Sequence, residues 1–243
     1  MSALNAAAAT FAPAPTQAQA LASLLAFGPQ RIAMTTERDN ASASPDQPAF
    51  LRGVRFNPSN TTEWYEVVLP YVSECTVIIA STTDVTYAAA MFGSTALPDL
   101  YNAITKVELP GFYWFNGVDL NRQHNPYMQL LRRLPNLREL SFAMHPGGLT
   151  TQRWHEREMH EIEPTDPERA KERILRSPQQ VINSYELDAL FSCQSLHRLR
   201  LEYVESPIIN HFCPSGNPED ILNNIKAYLQ QGFATRSMQV TVE

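Results

Sequence analysis

Apolar residues return along the chain in a six-residue phrase, apolar-x-x-apolar-x-apolar. It reads Leu51/Val54/Phe56, Val72/Cys75/Val77, Ile104/Val107/Leu109, Leu137/Leu140/Phe142 and Leu196/Leu199/Leu201, with a degraded copy ending Met238/Val240/Val242. The last two apolar positions of each phrase flank a single residue, the period-two alternation of a strand buried on one face. Between the phrases the spacing turns helical. Asn125-Pro126, Ser177-Pro178 and Asn217-Pro218 each place an N-cap before a proline at the first helical position, upstream of the later phrases. Asn60 or Thr61 opens a helix from Thr62 to about Val72, and Asp84 opens another that Gly93 stops.

Strand and helix thus alternate five times from Phe50 onward, before a closing strand. Helical crossovers of this length join parallel neighbours. The predicted fold is α/β: an irregular leucine-rich-repeat-like stack of about six parallel strands, with helices mainly on one side. The irregularity lies in the spacing, which grows from 21 residues (Leu51 to Val72) to 59 (Leu137 to Leu196). Asparagine is also missing after Leu109, Phe142 and Leu201, so no asparagine ladder tightens the stack. An open doubly wound α/β sheet, with helices on both faces, is the competing architecture.

Residues 1–48 break the pattern. They are rich in Ala, Pro and Ser, with only Ala18 to Phe27 suited to a short helix, and bury too little to offset their ordering entropy. The expected organisation is a disordered tail over 1–48 and one α/β domain over 49–243, with a charged insertion at 145–177. That insertion mixes Glu156, Glu158, Glu161, Glu163 and Asp166 with Arg153, Arg157, Arg169, Lys171 and Arg173. It reads as a solvated helical arm, or in functional terms as a docking arm or lid.

Charge and cysteine usage remove several function classes. A net charge of -6 spread along the chain argues against non-specific nucleic-acid binding. No apolar run reaches the roughly 18 residues of a membrane span. Cys75, Cys193 and Cys213 cannot all pair with one another, none forms C-x-x-C, and two occupy apolar phrase positions. Buried reduced thiols favour an intracellular location, cytoplasmic or nuclear. A mitochondrial location is the alternative, because no acidic residue precedes Glu37, although Arg31 is the only base before it.

Sequence motifs for chemistry are sparse. His155 and His160 are five apart, so on a helix they point about 140° away from each other and do not form the H-E-x-x-H metal pair. Gly147-Gly148 follows His145-Pro146 at a strand end, where α/β proteins bind ligands, yet no phosphate-loop pattern surrounds it. Phe112-Tyr113-Trp114-Phe115 reads as core packing or as an exposed recognition patch. No metal or other cofactor is expected. The candidate site is instead the strand face turned away from the helices: Arg55, Thr76, Glu108, Ser141, Arg200 and Gln239, flanked by Glu74, Lys106, Glu139, Arg198 and Ser237. Such a mixed-charge surface is either a protein-recognition face or simply solvated.

The stretch from Leu130 to Glu243 resembles the carboxy-terminal half of a group of uncharacterised filamentous-fungal proteins. The shared phrases are LPNLREL (Leu134 to Leu140), a GLTT-x-RW-like run (Gly148 to Trp154), a charged segment (Glu161 to Glu168), LRS (Leu175 to Ser177) and ALF-x-C (Ala189 to Cys193). Many of those proteins are similar to F-box/leucine-rich-repeat-like proteins, which implies a protein partner and no catalytic residues. The F-box helix itself has no counterpart near the start, which leaves a ubiquitin-ligase adaptor role without its main element. The leading expectation is a non-enzymatic protein-protein interaction module using the strand face. The alternatives are an enzyme with its site near His145 to Gly148, and a secreted fungal protein acting on a host.

Overall fold

The computed structural model describes residues 16–26, 28–34, 44–118 and 123–243. Eight strands lie among them: β1 (Arg31–Ala33), β2 (Thr76–Ile78), β3 (Lys106–Leu109), β4 (Glu139–Met144), β5 (Thr150–Gln152), β6 (Arg173–Leu175), β7 (Arg198–Tyr203) and β8 (Thr241–Val242). Six of these form one parallel sheet in the order β1-β2-β3-β4-β7-β8, and β5 with β6 makes a separate antiparallel hairpin. Strand order that follows chain order, without reversal, is the topology of a one-sided stack. A doubly wound sheet would turn back on itself at a switch point.

Among the described residues, burial shows one face of the sheet covered. Ile32, Val77, Val107, Leu140 and Leu199 stand in register across five strands, and each is buried. A second buried row, Leu109, Phe142 and Leu201, lies two residues further along. The residues between these rows are exposed or half-exposed. All helical packing therefore falls on the apolar side, where Trp64, Phe112, Phe115, Tyr127 and Phe233 complete the core.

The helix starts follow the capping chemistry. Asn125 accepts from the Tyr127 amide (3.0 Å), Ser177 from Gln180 (3.2 Å) and Asn217 from Glu219 (3.0 Å). They open the helices Pro126–Leu131, Pro178–Tyr185 and Pro218–Ala234. Ser81, rather than Asp84, caps the helix Thr82–Phe92, because its hydroxyl reaches the Asp84 amide. The helix expected from Thr62 contains a π-turn, Trp64–Val68, before Leu69–Glu74. Pro70 has no N–H and crowds the carbonyl four residues back, which a wider turn accommodates.

Two expectations are corrected. The phrase Leu51/Val54/Phe56 is not a strand: Ala49–Leu51 is a 3-10 turn, and Arg52 (φ 51°) and Gly53 (φ 84°) then take left-handed conformations no strand permits. Leu51 and Val54 still bury, so the apolar spacing served the core without the sheet. The sheet's first strand instead comes from within 1–48: β1 pairs with β2, and the Met34 amide donates to the Ile78 carbonyl (2.8 Å). A helix, Gln17–Ala26, precedes it and buries Ala20 and Leu24. The remaining parts of that segment, 1–15, 27 and 35–43, lie outside the described residues.

The insertion consists of the β5–β6 hairpin and three short helices, Pro146–Leu149, Glu156–Ile162 and Pro167–Ala170. Trp154 anchors it, with its indole N–H on the Arg169 carbonyl (2.9 Å) and the Arg153 and Arg169 guanidinium carbons each 5.1 Å from its ring.

Candidate functional site

The bare face of the sheet carries two polar rows set by the parallel register. The first runs Arg31, Thr76, Lys106, Glu139, Arg198 and Thr241 from β1 to β8. The second, two residues along each strand, holds Glu108, Ser141 and Arg200 on β3, β4 and β7. Glu243 extends it beside Arg200, because its amide donates to the Leu199 carbonyl and its carbonyl accepts from Leu201. With strands about 4.8 Å apart, six of them spread these groups over roughly 24 Å. All of these groups but Thr241 line a groove of about 340 Å³.

Ion pairs knit most of this face. Arg31 pairs with Glu108, Arg198 with Glu243 (3.0 Å), Arg200 with Glu202 (3.3 Å), and Lys106 with Glu74 (3.5 Å) at the strand starts. Glu139 stands in register between Lys106 and Arg198 and, among the described residues, forms no ion pair. Both signs alternate at strand spacing, and Ser141 at the centre keeps the floor low between them.

Of the predicted site residues, Thr76, Glu108, Glu139, Ser141, Arg198 and Arg200 come together here. Arg55 does not. Its segment is not a strand; Gln17 bonds its backbone (2.9 and 3.3 Å), and its guanidinium reaches Gln47 (3.1 Å). Gln239 also misses the rows, because β8 pairs two residues later, with Thr241 opposite Arg198. Arg31, Glu202 and Glu243 are the members that the phrase did not reveal. Alternation beyond Leu201 could have found Glu202, and the Ile32/Met34 pair, buried on either side of Ala33, was the signal for β1 and with it Arg31.

A second concavity, of about 470 Å³, lies past the carboxyl end of β4, around His145. His145 accepts from the Gly147 amide through Nδ1 (3.1 Å), and its ring stacks on Tyr113 (5.8 Å between centroids). Burial, and then the nearby Arg173 charge, hold its imidazole below the ordinary pKa. A Cβ at Gly148 would sit 2.2 Å from the Tyr185 hydroxyl, so any larger residue there has to displace that buried ring. The aromatic run divides at this point: Phe112 and Phe115 are buried against Tyr185, while Trp114 is 72% exposed at the rim.

The other nucleophile and base candidates lie elsewhere. His124 sits 3.0 Å from the Glu186 carboxylate, and neither it nor Cys193 lines the His145 cavity. Cys193 is buried, with its thiol pushed up to about 11 by loss of solvent. Among the described residues, no cluster of three His, Cys, Asp or Glu side chains could hold a metal, and no helix is long and apolar enough to cross a membrane. No protein-family model, curated protein or solved structure matches this chain.

Proposed function

We propose that this chain is a non-enzymatic binding module that holds a protein partner on the open face of its parallel sheet. One observation carries the reading: among the described residues no element packs on one face of the sheet, which presents a groove of in-register charged residues of both signs. Alternating charge at fixed spacing favours a partner of complementary pattern and rejects misregistered ones through like-charge contacts. A nucleic acid would instead want the positive charges unpaired, whereas Arg31, Arg198 and Arg200 are each matched by a carboxylate. Three free, buried cysteines suit a reducing compartment, cytoplasmic or nuclear. The resemblance to F-box/leucine-rich-repeat-like proteins points to the same kind of activity, substrate recognition by a stack of strands.

The test is proximity labelling in cells with tagged full-length protein, beside the double variant Glu139→Arg, Arg200→Glu. Both substitutions lie on the exposed face, so the circular-dichroism spectrum is expected to stay unchanged. Neighbours lost in the variant, and recovered by direct binding of purified wild-type protein, support the reading. An unchanged set of neighbours would sink it.

A further inference from the structure

We propose that the cleft past the carboxyl end of β4 is a binding site for a small organic anion that carries a planar ring. Its volume of about 470 Å³ falls in the range of roughly 300–1,000 Å³ that small-molecule sites occupy. Its lining inverts the charge of the molecule. The chain has 25 acidic residues against 19 basic ones, yet among the described residues no Asp or Glu lines this cavity, while Arg173 and Arg176 do.

Arg173 is held rigidly and left electrically uncompensated. Its Nε donates to the Thr150 hydroxyl (2.7 Å), and one terminal nitrogen leans on the carbonyls of Gly147 (3.4 Å) and Thr150 (3.3 Å). Those acceptors are neutral. Among the described residues no carboxylate pairs with it, although it is half-buried, and burial lowers its pKa. Holding a cation out of water without a counter-ion is costly, and an oxyanion in the cleft would offset that cost through a charge-assisted hydrogen bond. Arg176 closes the same wall, braced on the Gly148 carbonyl (3.3 Å) and on Ser184, and the anion's charge is met by Arg173.

The ring requirement comes from the opposite wall. Tyr113 lies between the His145 ring and Trp114, at 5.8 and 4.8 Å between centroids. The Trp114 indole, 72% exposed, offers a free aromatic surface at the rim. A bare inorganic oxyanion would leave most of this volume and all of that surface unused. The site is separate from the strand-face groove and shares no lining residue with it.

The experiment is a titration of full-length protein, by calorimetry and tryptophan fluorescence, with benzoate, phenyl phosphate, benzyl alcohol and inorganic phosphate. At least one of the two ring-bearing anions is expected to saturate the protein about tenfold more tightly than either benzyl alcohol or phosphate. The tighter of the two tells whether the oxyanion is a carboxylate or a phosphate ester. Arg173→Met should abolish the preference, but Arg173 also braces the β5–β6 hairpin. Gln152→Glu, an exposed change at the rim, keeps the test independent of folding: it should weaken the anion about fivefold and leave benzyl alcohol unaffected. Failure of both anions to saturate, phosphate or benzyl alcohol binding as tightly as the better ring-bearing anion, or an unchanged affinity for that anion in Gln152→Glu would overturn the proposal.

Discussion

Arg31 on β1 reaches over β2 to pair with Glu108 on β3. Arg31 is in register with Thr76 and Thr76 with Lys106, so the two partners stand two strands apart and two residues out of line. The contact spans about 10 Å of sheet, over the Thr76 and Ile78 side chains. It places a residue from the amino-terminal segment on the same polar face as the central strands.

That pair contributes little stability. Its side chains are 67% and 31% exposed, and pairs in such surroundings contribute under about 1 kcal/mol. Arg31→Ala is therefore expected to lower the urea-unfolding free energy by less than that amount. The edge strand should stay docked through the buried Ile32 and the Met34 amide on Ile78. A loss of several kcal/mol would show that β1 depends on the ion pair.

Gly111 is where the stack tolerates no side chain. A Cβ there would lie 1.6 Å from the Ala80 carbonyl oxygen, a backbone atom that no rotamer change can move. Gly111→Ala must push the exit of β3 away from the segment after β2, at an expected cost of about 3 kcal/mol or more. Gly53→Ala meets nothing within 4 Å and strains only its positive φ, for a cost of about 1 kcal/mol. Chemical denaturation of the two variants side by side separates close approach from conformational strain.

The sheet was legible because β3, β4 and β7 each bury two alternate residues against the helices, and β2 buries Val77 with Cys75 just ahead of it; that alternation is what the phrase records. Leu199 and Leu201 on β7, both buried, are the plainest case. The same spacing misled at Leu51 and Val54, since a 3-10 turn followed by two left-handed residues can also bury residues three apart. It misplaced the last strand by two residues because Met238 and Val240 pack on the core before β8 begins. β1 was missed although Ile32 and Met34, both buried, alternate around Ala33: Pro29 stands where the phrase would put its first apolar residue, and the pair lies within an Ala/Pro/Ser-rich stretch. On the candidate face, every residue between two buried anchors of a true strand was recovered. Arg31 and Glu243, held by pairing at the sheet edges, were not. The His145 cleft brings together Tyr113, His145, Arg173 and Arg176 from separate segments, a proximity that no local pattern encodes.

Cys193 provides a pH signature of the core. Its thiol is buried beside Leu131 and pushed up to about 11, chiefly by burial, from an ordinary value near 9. Below pH 9 the folded and unfolded states both keep the proton, so the thiol's contribution to stability is fully present. As pH rises from about 9 towards 11, the unfolded chain loses the proton while the folded one retains it. The unfolded state then binds fewer protons and stability falls, by roughly 1–3 kcal/mol across the window. Buried tyrosines add a similar slope, so the informative quantity is the difference from Cys193→Ala. That variant should start less stable at pH 8 because of the cavity and show a shallower decline above pH 9. Iodoacetamide at pH 8 should modify Cys193 in the native protein only as fast as the fold opens, since the thiolate is both scarce and shielded. Equal alkaline slopes in the two proteins, together with rapid native alkylation, would place this thiol at the surface.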